Sequence, residues 1–424
     1  MNLLVKFIKG EWSSTLKLSR KNSYIVHYYN EILRYWNKIN FITKRAHPNT
    51  VKATPNQLAL YLYITYRVLW EKSSDKTIFK EVKNINRKFL SNLRNFSWEE
   101  ALKRKNLEEK LSISKAIPSF MINHLLPVMS LDFIKDNIQV MNGVVGDDKT
   151  FVRINKLLKT NQNHNINMII KTEFDKRKIA YNKDPHIEDL LTIPTTVKNN
   201  ILKSSIYQEG HIIFQDKASA AVIEVLSPQP GEFICDMCAA PGMKTSLIAQ
   251  HMNNKGRIIA GEFLNQRTII MKDLLHHLGV QNTHILTTDS IIFPLRSQNI
   301  FDRILLDAPC TGNGSFLSNP ELKWRQNENF LHQNTLLQKK LFKNALKLLK
   351  PNGIIVYSTC SLYPEEGEYI IMNFQDYLEP QNLPKWFSPS YNIEGSILPG
   401  VGRLFPSIQH TQGFFIAKFK KKET

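Results

Sequence analysis

From Tyr207 onward this chain alternates short apolar runs with amphipathic ones, and that rhythm limits its possible folds more than any other feature. Phe233 to Asp236, Arg257 to Glu262, His284 to Thr287, Phe301 to Asp307 and Ile354 to Ser358 read as buried strands. Thr245 to Met252, Asn265 to Leu278, Gln333 to Leu349 and Glu365 to Leu378 carry helical spacing. Such alternation predicts an α/β fold on a doubly wound parallel sheet. Sheets of this kind bind ligands beyond the carboxyl ends of their strands, so the chemistry is expected in the residues that follow those ends.

The first of these ends runs into Asp236-Met237-Cys238-Ala239-Ala240-Pro241-Gly242-Met243-Lys244 and then a helix. Small residues let the backbone approach a ligand, and the helix amino terminus offers unpaired N–H groups and the positive end of its dipole. Gly242-Met243-Lys244-Thr245 lacks the first glycine of a G-x-x-x-x-G-K-[ST] loop, which disfavours a nucleoside triphosphate. Glu262 ends the second strand about 20 residues later, where nucleotide-binding folds place a carboxylate for ribose hydroxyls. Asp289 follows the third strand and could accept from an adenine amine. Together these acids describe an adenosyl pocket, which suits a nicotinamide dinucleotide as well as S-adenosylmethionine.

Two further strand ends carry thiols, in Asp307-Ala308-Pro309-Cys310 and Ser358-Thr359-Cys360-Ser361. Two sulfurs so placed could converge on one substrate for covalent chemistry. Only four cysteines occur in 424 residues, too few for a disulfide framework, so reduced thiols are expected. Cys235-x-x-Cys238 has a zinc-like spacing but no second such pair, and no metal is expected. Met1 to Gly10 lacks a sustained apolar stretch, and Leu58 to Trp70, interrupted by Tyr61, Thr65 and Arg67, is too short to span a bilayer. A soluble, cytoplasmic monomer with no membrane partner is the expectation.

Charge divides the chain. Residues 1–150 hold 25 basic and 13 acidic side chains, 151–200 hold 9 and 5, and the remainder 22 and 19, within a total of +19. A basic leading half beside a near-neutral trailing half points to a polyanion bound by the first and chemistry performed by the second. Residues 1–115 show helical spacing and read as an all-α region. Its clusters Lys83 to Lys88 and Lys103 to Lys110 could contact phosphates, while Phe96 and Trp98 read mainly as core. Residues 116–205 read as a small α/β module, with a helical stretch Phe120 to Val140, a strand Phe151 to Asn155 and a polar loop Asn161 to Asn167. Residues 206–424 form the α/β domain.

Five segments resemble the Nop/Sun (Fmu) family of S-adenosylmethionine-dependent RNA cytosine-C5 methyltransferases: Tyr207 to Ser219 (YQEGHIIFQDKAS), Asp236 to Lys244 (DMCAAPGMK), Leu305 to Gly314 (LLDAPCTGNG), Tyr357 to Glu366 (YSTCSLYPEE) and Arg403 to Lys418 (RLFPSIQHTQGFFIAK). The resemblance runs from about Phe151 to the last residue, and it implies a Rossmann-like class I methyltransferase sheet. It also implies that Cys360 adds to cytosine C6, that Cys310 serves release, and that Asp307 and Lys244 assist. Cofactor contacts carried over are Cys238, Ala239, Ala240, Pro241, Gly242, Met243, Lys244, Glu262, Arg267, Asp289 and Asp307. Met243 stands where the family usually has glycine, and Glu262 where aspartate is commoner. The implied partner is RNA, rRNA ahead of tRNA, since the helical region is similar to the NusB-like extension of the bacterial small-subunit rRNA member. Lys323-Trp324-Arg325 is a candidate RNA contact or a packed loop. An amino-group methyltransferase would carry a D/N-P-P-Y/F sequence near residue 307, and Cys310 follows Pro309 instead. The remaining alternative is a non-catalytic RNA assembly factor.

Overall fold

The computed structural model describes residues 1–11, 23–83, 85–144, 149–158, 165–295 and 297–423. Asn84 of the first basic cluster and residues 161–164 of the expected polar loop lie outside them. The chain divides into two compact units, residues 1–144 with 316–326, and residues 145–315 with 327–424. The division expected at residue 115 stays a proposal; helices Ser119–Leu125 and Leu131–Met141 group with the helical unit.

The helical unit is built on apolar faces at 3.6-residue spacing. Its helix Pro55–Leu69 starts where Thr54 accepts from the Gln57 N–H and Gln57 reaches back to the Thr54 N–H, with proline in the first turn. That helix buries Ala59 and Leu62 against Ile32, Leu33 and Ile39, and Ile64 and Val68 in a second cluster with Ile42, Ile78 and Phe89. Phe96 and Trp98 pack on the same core. Residues 316–326 complete it: Trp324 Nε1 donates to Leu33 O at 2.6 Å, Tyr29 Oη donates to Glu321 at 3.0 Å, and Lys323 is fully buried, donating to Arg34 O at 2.9 Å. Burial pushes the Lys323 amine well below its usual range. Lys323-Trp324 is therefore a packed segment in this structure, while Lys83, Arg87, Lys88, Lys103 and Arg104 are exposed.

Among the described residues the second unit holds one separate two-stranded hairpin and two large sheets. The smaller is antiparallel, with β1 (Lys149–Ile154), β2 (Asn182–Lys183), β3 (Leu190–Pro194) and β4 (Ile212–Phe214) in the order β2-β3-β1-β4. It packs on helix Ile166–Lys176 through Val152, Ile170, Phe174 and Ile193.

The larger sheet contains β5 (Phe233–Asp236), β6 (Arg257–Glu262), β7 (Thr283–Thr287), β8 (Phe301–Asp307) and β9 (Leu349–Thr359), parallel in the order β7-β6-β5-β8-β9. Short edge strands β10 (Leu378–Pro380) and β11 (Ser388–Pro389) follow, then the hairpin β12 (Asn392–Ile393) and β13 (Ser396–Ile397). Two last strands extend the sheet beyond β9, β14 (Val401–Leu404) and β15 (Phe414–Lys421), and β15 runs antiparallel to both β9 and β14. The sheet is thus mixed, where the alternation of strands and helices led only to its parallel part. Ile234, Ile258, Ile304, Leu305, Ile355 and Val356 are fully buried, as strands covered on both faces require.

Candidate active site

Strands β8 and β9 are paired so that Asp307 lies beside Ser358. The loops leaving them share further hydrogen bonds, from the Ala308 N–H to Ser358 O and from the Gly314 N–H to Cys360 O, each 2.9 Å. This parallel pairing brings the two thiols together: Cys310 Sγ and Cys360 Sγ are 3.3 Å apart. The close packing depends on glycine, because a Cβ on Gly314 would lie 2.0 Å from Gly413 O.

The hydrogen bond to Cys360 pushes the Cys310 thiol well above its usual range, and burial and the nearby Glu366 carboxyl push it the same way. At neutral pH Cys310 is therefore a neutral thiol.

Asp307, at the end of β8, accepts from Ser358 Oγ at 2.8 Å and pairs with Lys244 Nζ at 2.7 Å. Lys244 comes from the first turn of helix Met243–His251 and is 14% exposed, so it is not a solvated surface lysine. Burial alone would lower its ammonium, but the Asp307 carboxylate outweighs burial and holds it above its usual value, with the Cys360 sulfur also within electrostatic reach.

The loop before that helix is shaped by its backbone. The Ala240–Pro241 bond is cis, and Gly242 has φ +101°, a conformation that side-chain-bearing residues avoid. Gly242 supplies no side-chain cap, so the first turn of the helix presents its N–H groups outward. Arg267 braces the loop, donating to Ala240 O at 2.7 Å while pairing with Glu262 at 3.2 Å. Glu262, at the end of β6, also accepts from the Leu264 N–H at 2.9 Å, and Asp289 accepts from the Ile291 N–H at 2.9 Å. An uncapped helix start with carboxylates at the ends of β6 and β8 and just after β7 fits an adenosyl cofactor. Met243 is partly exposed, and burial pushes the Cys238 thiol well up, so its backbone is what it offers a ligand. Cys235 is a fully buried core residue on β5. Among the described residues no three histidine, cysteine or acidic side chains are grouped to hold a metal ion, and no helix is long and apolar enough to cross a membrane.

Sequence reasoning missed three residues that the structure adds. Asp236 takes a 2.7 Å hydrogen bond from Thr245 Oγ1 behind the cofactor loop. Ser358 orients Asp307, and its place two residues before Cys360 was a usable signal. Glu366 touches the Cys310 turn, a tertiary contact with no local signature.

A family model described as 16S rRNA methyltransferase RsmB/F matches residues 223–420. The Synechocystis protein named "Probable ribosomal RNA small subunit methyltransferase B" is 38% identical over 221 residues, which cover 51% of this chain and 49% of that protein. A "tRNA (cytosine(49)-C(5))-methyltransferase" from Pyrococcus abyssi is 36% identical over 227 residues, covering 51% of this chain and 72% of the relative. This chain thus spans about half the length of the first relative and most of the second. The crystal structure of PH0851 matches with a TM-score of 0.78 at 25% identity, covering 99% of this chain and 97% of that one.

Proposed function

The chain belongs to the Nop/Sun family of RNA cytosine-C5 methyltransferases, and from that premise we propose that it methylates C5 of a cytidine in rRNA through a covalent Cys360–C6 adduct. The observation that carries this reading is the 3.3 Å approach of two thiols at the ends of adjacent parallel strands. Core packing has no use for such a pair beside a partly exposed lysine–aspartate contact.

When bound, S-adenosylmethionine supplies an electrophilic methyl group. Addition of the Cys360 thiolate to C6 breaks the aromaticity of cytosine and makes C5 nucleophilic enough to take that methyl. Asp307, held by Ser358 and Lys244, accepts from the cytosine amino group and fixes the ring in place, while the Lys244 ammonium beside it offsets the negative charge that thiolate addition puts on the ring. Once Cys360 is bound to C6, Cys310 is the free thiol beside the adduct, 3.3 Å from the Cys360 sulfur. Cys310 gives its proton to solvent water and then, directly or through a water, takes the proton from C5. The C5–H electrons re-form the ring double bond, and the C6–S bond breaks to return the Cys360 thiolate. The cytidine must be splayed out to reach two loops at strand ends, while the exposed basic side chains of the helical unit hold phosphates.

Transfer RNA is the second reading, favoured by the Pyrococcus abyssi relative, whose length this chain covers more fully. One experiment addresses both. Cys310→Ala enzyme is incubated with cellular RNA and cofactor, purified under denaturing conditions, and its attached RNA is sequenced. A slower-migrating RNA–protein species that vanishes in the Cys310→Ala, Cys360→Ala double variant is the expected result, and its sequence names the substrate. No adduct from Cys310→Ala while wild type methylates RNA would overturn the two thiol roles, as would a methyl group on the exocyclic amine.

A further inference from the structure

Glu366 closes the turn Pro364–Glu366 beyond the Cys360 loop, and it is fully buried. Its Oε1 accepts from the Thr311 N–H at 2.9 Å and from Gln338 Nε2 at 3.0 Å, and its Oε2 accepts from Thr311 Oγ1 at 2.5 Å. Thr311 is the residue after Cys310. Gln338, on helix Glu328–Leu348, also donates to Pro309 O at 2.8 Å, so one carboxyl and one amide grip the residues on both sides of Cys310. The same glutamate reaches the other thiol's neighbour: its carbonyl accepts from Tyr357 Oη at 2.9 Å and from Thr359 Oγ1 at 3.3 Å, and Thr359 precedes Cys360.

A carboxyl buried among an amide, two hydroxyls, those of Thr311 and Ser361, and a backbone N–H bears a desolvation cost that no ion pair among the described residues offsets. Glu368, two residues on, shows the ordinary solution, a fully buried ion pair with Arg403. The position of Glu366 makes sense if an acceptor for four convergent donors is needed at that point, which a bidentate carboxyl provides. The two thiols also differ in support. Cys360 follows directly on a ladder, with Thr359 paired to Phe415 of β15. The Pro309–Thr311 turn has left the ladder; between the Ala308 and Gly314 backbone bonds that flank it, side chains hold it, Glu366 and Gln338 together with Asn313, whose Nδ2 donates to Thr311 Oγ1.

We propose that Glu366 is a positioning residue that clamps the Cys310 turn to the Cys360 strand end and so governs the release half of the reaction. The inference rests on the two-thiol reading above. Loosening the clamp displaces Cys310 while leaving Cys360 on its strand, so attack and methyl transfer continue and elimination slows.

The test compares wild type, Cys310→Ala, Glu366→Gln and Thr311→Val, each checked for folding by thermal melting, in single-turnover assays with total RNA. The readouts are denaturation-stable RNA–protein adduct and free methylated RNA. Glu366→Gln puts an amide N–H against donors, and Thr311→Val removes the hydroxyl's contacts with Glu366 and Asn313 while keeping the side chain's shape. Both are expected to release methylated RNA more slowly, on the order of tenfold for Glu366→Gln, while the adduct rises above the wild-type level. A purely structural residue would lower adduct and product together. If Cys310→Ala traps adduct and both clamp variants do not, the inference is overturned and the two-thiol reading stands. Should Cys310→Ala trap none while wild type methylates, both fall. Glu366→Gln failing to fold leaves Thr311→Val to decide, and release by Thr311→Val at the wild-type rate overturns the clamp.

Discussion

Asp236 ends β5 fully buried, with Thr245 Oγ1 on one carboxyl oxygen. Burial pushes its pKa up to about 7, from 3.8. A folded-state value above the unfolded one means that the native protein holds this proton where the unfolded chain has lost it. The stabilisation is fully present below pH 3.8 and is lost as pH rises through about 7, at most about 4 kcal/mol. Asp236→Asn keeps an oxygen for Thr245 and does not titrate. Urea unfolding at pH 5 and pH 7.5 should show wild type losing more stability than the variant between the two, by about 2 kcal/mol or more. Equal losses would place the titration elsewhere. At this same scale the thiols, Asp307 and Lys244 were legible because each follows a strand end. Glu366 was not, because its partner Thr311 lies on the preceding loop and only the pairing of β8 with β9 joins them.

Among elements, those with strong local signals matched their expected bounds: β5, β6 and β8 coincide with the apolar runs that marked them. Helix Asn265–His277 ends one residue early, and helix Glu328–Leu348 starts five residues before Gln333 because Asn327 caps it through the Phe330 N–H. Where the sequence pattern erred, proline or glycine explains it. The stretch Phe120 to Val140 breaks around Pro127, whose ring and missing N–H do not suit a helix interior. Glu365 to Leu378 shrinks to a helix Glu368–Met372 after Pro364 and Gly367. Between the antiparallel β14 and β15 lies only the four-residue helix Pro406–Gln409, too short to show a helical spacing, and the pairing of β15 with β9 is a long-range choice. The Cys310 loop bears on β15's leading turn through the Gly314–Gly413 contact, where the Gly413 N–H donates to Gly314 O at 2.9 Å. Gly314→Ala forces that contact apart and should cost about 3 kcal/mol. It should also abolish methylation at temperatures where the variant is still folded, as monitored by circular dichroism beside the nucleoside assay. Retained activity would show that the two loops need not touch.

At the scale of the whole chain, the charge asymmetry leads to the proposal that the helical unit binds the polyanion, and how that proposal is tested depends on where the unit ends. A truncation at residue 115 would take away Ile32, Leu33 and Ile39 and leave Trp324 and the helices of residues 116–144 without their core, since residues 316–326 belong to the same unit. A drop in RNA binding after such a cut would report unfolding as readily as the removal of phosphate-binding side chains. Surface substitution avoids the ambiguity. Lys83, Arg87, Lys88, Lys103 and Arg104 are all exposed, so exchanging them for glutamine leaves the core intact. Every phosphate left without its cation should flatten the slope of log affinity against log salt by about 0.7 to 0.9. The combined variant should therefore bind RNA more weakly at low salt and converge on wild type as salt rises. Methyl transfer at saturating RNA should stay close to normal, because the thiols, Asp307 and Lys244 are untouched. Binding titrations at four or five salt concentrations give the slope directly. A slope equal to that of wild type would show that these side chains are a solvated surface, and would move the phosphate-binding role to basic residues elsewhere in the chain.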